Sequence, residues 1–157
     1  MSWKVEEIKE HLEKMQFSMG DIDCKKDKFI LKSNYLSLSQ DMFEVNAVAS
    51  YVYCSHGNNA ELIQLSASKG NKNYLLETEL NFAKMVVKAL SFFDVCSSEV
   101  PERFELPTET FTIGDYTLRV DSEESYCNAF IAFSSNFDHG MNLRNALLYP
   151  DLYDVEK

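Results

Sequence analysis

The sequence predicts an α+β fold, a mainly antiparallel sheet packed against a largely buried central helix, in the order α-ββββ-α-βββ-α. Three observations carry this expectation. An apolar stripe at helical spacing stands near the amino terminus. Two blocks of short, alternating, β-branched and aromatic runs are punctuated by Gly, Asn and Asp. Between those blocks runs a stretch with helical spacing that is apolar around most of its circumference. No segment has the composition of a linker and no repeat is visible, so residues 1–157 are read as a single domain.

The first helix is expected over residues 3–15. Ser2 stands at the N-cap position, and Glu6 and Glu7 fall in the first turn, where the helix dipole favours acids. Val5, Ile8, Leu12 and Met15 make its apolar stripe. Its end is placed at Phe17–Gly20, because Gly20 suits a left-handed terminal position. Short strands are then expected at 29–32 and 35–39, with Ser33-Asn34 between them as a turn. Residues 43–54 alternate best. Phe43, Val45, Ala47, Ala49, Tyr51 and Tyr53 share one face, and the other face turns apolar at Val52 and Cys54, as in a strand covered on both sides. Turn chemistry at Ser55-His56-Gly57-Asn58-Asn59 joins this run to residues 60–68 as an antiparallel hairpin.

A central helix is expected over 74–93, where Leu76, Leu80, Ala83, Val87 and Leu90 recur at helical spacing and Phe82, Val86, Phe92 and Phe93 widen the stripe. Residues 111–113 and 116–120 flank Gly114-Asp115, a strong hairpin signal. The continuously apolar Ala129-Phe130-Ile131-Ala132-Phe133 marks the strand at 126–134 as interior. A short helix over Met141–Leu148, ended by Pro150, completes the chain.

Fifteen basic against 25 acidic side chains give a net charge of −10, which disfavours bare nucleic acid and anionic lipid as partners. The amino-terminal stretch carries acids where a signal peptide needs apolar residues, and no run approaches a membrane span, so a cytoplasmic location is expected. Cys24, Cys54, Cys96 and Cys127 have no metal-knuckle or C-x-x-C spacing and read as reduced, structural residues.

Catalytic chemistry finds little to attach to. His11, His56 and His139 form no ligand or phosphoesterase motif, and the five glycines stand singly, so no phosphate-binding loop can be assembled. His56 as a general base, Cys54 as a nucleophile, or Asp115, Asp121 and Glu123 around Mg²⁺ are conceivable, but turn, core and surface roles explain the same residues more simply. The basic cluster Lys25-Lys26-Asp27-Lys28 reads as a solvated turn. No enzyme activity, cofactor or metal is expected.

Charge distribution says more. Residues 1–72 balance at −1 and residues 73–157 at −9. Glu99, Glu102, Glu105, Glu109, Asp115, Asp121, Glu123 and Glu124 fall in or beside expected loops, which lie on the surface. Such a field steers cationic partners. These residues are the candidate protein interface, an acidic face for a basic toxin or nucleic-acid-handling enzyme. In size, charge and lack of catalytic motifs the chain is similar to bacterial toxin-immunity proteins and to phage-encoded inhibitors of host defence, which implies an inhibitor that occludes a cationic surface. The order of elements over the first ninety residues also resembles that of type III secretion chaperones, which implies the alternative of an escort for a partner protein. The extra strand at 126–134 and the short final helix depart from that family.

Overall fold

The computed structural model describes residues 3–14, 17–25, 28–36, 47–55, 59–68, 108–122 and 126–149. Its elements are β1 (Trp3–Lys4), α1 (Val5–Lys14), β2 (Phe17–Lys25), β3 (Lys28–Leu36), β4 (Ala47–Ser55), β5 (Asn59–Ser68), β6 (Thr108–Ile113), β7 (Tyr116–Ser122) and β8 (Tyr126–Phe133). A 3-10 turn, Ser134–Asn136, leads into α2 (Phe137–Leu148). The expected central helix over 74–93 lies outside the described residues.

The strands form one sheet in the order β2-β3-β4-β5-β8-β7-β6, with β1 on β5, and every described pairing is antiparallel. The α+β class and the antiparallel sheet therefore stand. Two meanders, β2 to β5 and β6 to β8, meet where Ile63 pairs with Ile131 and Leu65 with Ala129. Of the run 43–54 expected to alternate, residues 43–46 lie outside the described residues, and the rest belongs to β4, whose hairpin with β5 is in place. One face of the central sheet presents Val52, Cys54, Ile63, Leu65, Leu118, Val120, Ala129 and Ile131, all buried. The opposite face presents Tyr53, Leu62, Gln64, Phe130 and Ala132, also buried. Burial on both faces is why β8 reads as a continuous apolar run rather than an alternating one. Each large apolar side chain so enclosed contributes about 1.5–3 kcal/mol.

Four expectations change. Trp3 and Lys4 are strand, not helix. The pairing of β8 with β5 ends at Ile63, and β1 takes up the vacated edge with Trp3 opposite Ala60 and Lys4 opposite Asn59. The Trp3 ring then lies against Tyr116 (6.1 Å between centroids) and Phe133 (4.9 Å). Val5 and Ile8 of α1 are buried in the same core.

Residues 17–25, expected to end a helix, form β2. A register shift between Met19 and Ile22 interrupts its pairing with β3, and that bulge conceals the strand period. β3 runs unbroken through Ser33 and Asn34, because Ser50 and Ala49 of β4 pair with them on one side while Met19 and Ser18 pair on the other. Finally, α2 starts at Phe137, so Gly140 is inside the helix. A Cβ built there would lie 2.7 Å from the Glu61 carbonyl oxygen and 3.0 Å from Leu62 Cβ. The missing side chain lets α2 approach β5 directly.

Candidate functional site

The acidic candidates that lie among the described residues gather around one hairpin, β6–β7. Its two-residue loop, Gly114-Asp115, is closed by the pair Ile113–Tyr116. Gly114 has φ 58°, the left-handed conformation that tight hairpin turns require. Asp115 is exposed at the tip, and its carbonyl accepts the Ser134 N–H at 2.8 Å, which ties the loop to the turn preceding α2.

Glu109 sits half-buried on β6 opposite Val120, on the same face as Phe111 and Ile113. Asp121 lies on the other face, opposite Thr108 and Asn128. There the Arg119 guanidinium grips it with two bonds, Nε to Oδ1 at 3.0 Å and Nη2 to Oδ2 at 3.2 Å. With the Arg119 side chain 38% and the Asp121 side chain 19% exposed, this forked pair spends the Asp121 charge locally. Neither Glu109 nor Asp115 has an ion pair among the described residues. Glu99, Glu102, Glu105, Glu123 and Glu124 lie outside the described residues.

The β6 strand is the last in the sheet order. Because a two-residue loop makes its flanking pair hydrogen-bonded, Ile113, Phe111 and Glu109 direct their backbone groups toward β7. Thr108, Thr110 and Thr112 direct theirs outward, and all three residues are exposed. No strand among the described residues pairs with that edge.

A second polar cluster, which sequence reading missed, lies under α2. Tyr53 Oη donates to Gln64 Oε1 at 2.6 Å, and Arg144 Nε donates to the same oxygen at 2.8 Å. The Gln64 amide nitrogen donates to Ser66 Oγ at 2.9 Å, and Ser66 Oγ donates in turn to Asn128 Oδ1. The Arg144 guanidinium also stands 5.0 Å from the centre of the Phe130 ring, a cation–π distance. Burial pushes the Tyr53 hydroxyl up to about 12, with Arg144 opposing the shift. At the helix's other end, the buried Glu61 carboxylate accepts hydrogen bonds from Ser55 Oγ at 2.6 Å and from Asn136 Nδ2. These bonds fix α2 on the sheet. Their members come from β4, β5, β8 and α2, so no local sequence signal links them.

No family model, curated protein or solved structure matches the chain.

Among the described residues no group of three or more His, Cys, Asp and Glu could hold a metal ion. Asp115, in the loop before β7, and Asp121, near the far end of that strand, are about 20 Å apart at ~3.3 Å per residue, so they do not converge. Cys54 and Cys127 are buried in the core, Cys24 lies on β2, and Cys96 lies outside the described residues. His11 is on α1 and His139 on α2, while His56 lies outside the described residues. No described helix is long and apolar enough to cross a membrane.

Proposed function

We propose that the chain is a small acidic protein-binding inhibitor of the immunity type. It neutralises a basic toxin or nucleic-acid-processing enzyme in the cytoplasm by covering the cationic surface that the enzyme uses for phosphates. One domain spanning residues 1–157, with the apolar stretch at 74–93 as a helix across the sheet, is part of the same reading. The observation that carries it is the charge asymmetry: nine of the ten net negative charges belong to residues 73–157. Glu109 and Asp115, on one hairpin and with no ion pair among the described residues, support the reading. A field of this kind speeds encounter with a cationic surface and repels competing acidic proteins.

Affinity capture from a native lysate tests the reading. At about 50 mM salt the wild-type chain is expected to retain one dominant basic protein, and at about 300 mM most of it is released as the charges are screened. The double variant Glu109→Lys/Asp115→Lys is expected to retain less at low salt. Retention of no basic protein at either salt ends the proposal. Undiminished retention by the double variant moves the interface away from this hairpin.

A further inference from the structure

We propose that the outer edge of β6 is a docking site for an extended strand of a partner protein, which adds to the sheet beside Thr108–Ile113 and carries a Lys or Arg opposite Glu109. This inference rests on the reading of the chain as a binder of basic proteins and specifies how the partner is held.

The two ends of the sheet differ. The β2 edge is interrupted by a bulge between Met19 and Ile22 and ends in Lys25, both common devices against unwanted strand pairing. The β6 strand carries no bulge, no proline and no lysine over its six residues, and it pairs with β7 in unbroken register. Its outward N–H and C=O groups belong to Thr108, Thr110 and Thr112, all exposed, so three residues offer a template for another strand. Thr is well suited to such a ladder, since its branched Cβ favours extended backbone.

Glu109 selects the occupant. A strand pairing through Thr108, Thr110 and Thr112 places Glu109, Phe111 and Ile113 at its non-hydrogen-bonded positions, where side chains approach most closely. Two copies of this chain joined here would bring acidic edges together and enclose Glu109 without a cation. A copy already at −10 is thus a poor partner. A strand with a cation opposite Glu109 and apolar β-branched side chains opposite Phe111 and Ile113 satisfies all three positions. Main-chain bonds then supply affinity and the alternate side chains supply choice, as in strand-addition recognition generally.

The test uses the full chain and a synthetic peptide, acetyl-Thr-Val-Thr-Val-Thr-Lys-Thr-amide, which in antiparallel register sets its Lys opposite Glu109. Its control is the same peptide N-methylated at the Thr that would pair with Thr110, with identical charge but one ladder donor removed. Binding is followed by NMR titration and by amide exchange. The expected result is slowed exchange at Thr108, Thr110 and Thr112, with affinity at least about tenfold weaker for the methylated peptide and at least about tenfold weaker for Thr110→Pro. Proline removes an N–H that points away from β7, a position where edge strands accept it. Should that variant not fold, the methylated peptide decides the matter on the unaltered protein.

Equal binding of both peptides, or unchanged exchange at the three threonines, overturns the proposal. A wild-type dimer that becomes monomeric in Thr110→Pro also overturns it, by giving the edge to a second copy. If Thr110→Pro still captures the basic protein while Glu109→Lys/Asp115→Lys does not, the strand mode fails and the acidic-inhibitor reading survives. If the peptide docks on the edge while no basic protein is retained, the docking site stands and that reading fails.

Discussion

Replacing Gly140 by Ala sets two effects of opposite sign against each other. Inside a helix, Ala is favoured over Gly by roughly 0.5–1 kcal/mol. The added methyl, however, would stand 2.7 Å from the Glu61 carbonyl oxygen and 3.0 Å from Leu62 Cβ. Glu61 cannot retreat, because β5 is paired with β4 on one edge and with β1 and β8 on the other. The helix must lift instead, which stretches the 2.8 Å bond from Arg144 to Gln64 and loosens the bond from Asn136 to Glu61. Inserting a methyl into a packed contact of this kind costs about 1–3 kcal/mol. The net expectation for Gly140→Ala is a loss of about 1–2 kcal/mol, with the clash outweighing the propensity gain. Urea unfolding should show a lower midpoint with an unchanged slope, and thermal unfolding a Tm lower by roughly 2–8 °C. A midpoint equal to or above the wild type would refute the close packing of α2 on β5.

Other expectations follow from the same contacts. Gln64→Leu strips one acceptor from both Tyr53 and Arg144 and should cost about 2–4 kcal/mol in chemical denaturation, whereas Tyr53→Phe, which removes a single donor, should cost only ~1 kcal/mol. The Tyr53 hydroxyl is raised from 10.0 to about 12 in the folded chain. The native state therefore holds its proton more tightly than the unfolded state, and this stabilisation is complete below pH 10 and lost as pH rises through 12. Alkaline unfolding curves of wild type and Tyr53→Phe should converge across that window, and parallel curves would count against burial of the hydroxyl. Trp3→Ala removes a buried ring held against Tyr116 and Phe133, and a loss of about 3–5 kcal/mol is expected in urea unfolding.

The parts of the fold legible in the sequence were those whose signal is local. The Gly114-Asp115 loop between alternating runs declared β6–β7, and the alternation through Tyr51, Val52, Tyr53 and Cys54 declared β4. Where neighbours override local preference, the signal failed. Ser33-Asn34 has turn chemistry, yet ladders on both sides hold it extended. The β2 strand hides behind Gly20, Asp21 and a bulge, and Gly140 resembles a loop residue although its role is to admit β5. Among the hairpin acids, Asp115 stands in the exposed turn the sequence pointed to, whereas Glu109 and Asp121, expected in loops, are partly buried strand residues of β6 and β7, because the ladder runs beyond the apolar alternation. The Arg119–Asp121 pair is local, two residues apart on one face of β7, but that Tyr53 and Arg144 would share Gln64 depends on pairings that no single segment encodes.

The position of β5 has a bearing on how the chain is made. This strand is bordered by β4, β8 and β1, and it supports α2 from one face. During synthesis its first neighbour is available at once, but β8 emerges only several seconds later at ~5–20 residues per second. Throughout that delay an apolar strand, Leu62-Ile63-Gln64-Leu65, waits with one side unsatisfied, and the amino-terminal β1 can occupy only its first residues. The nascent protein is thus most vulnerable to sticky, non-native pairing at its future centre, and slowing translation before Tyr126 should lower the yield of soluble protein more than slowing it after Leu148.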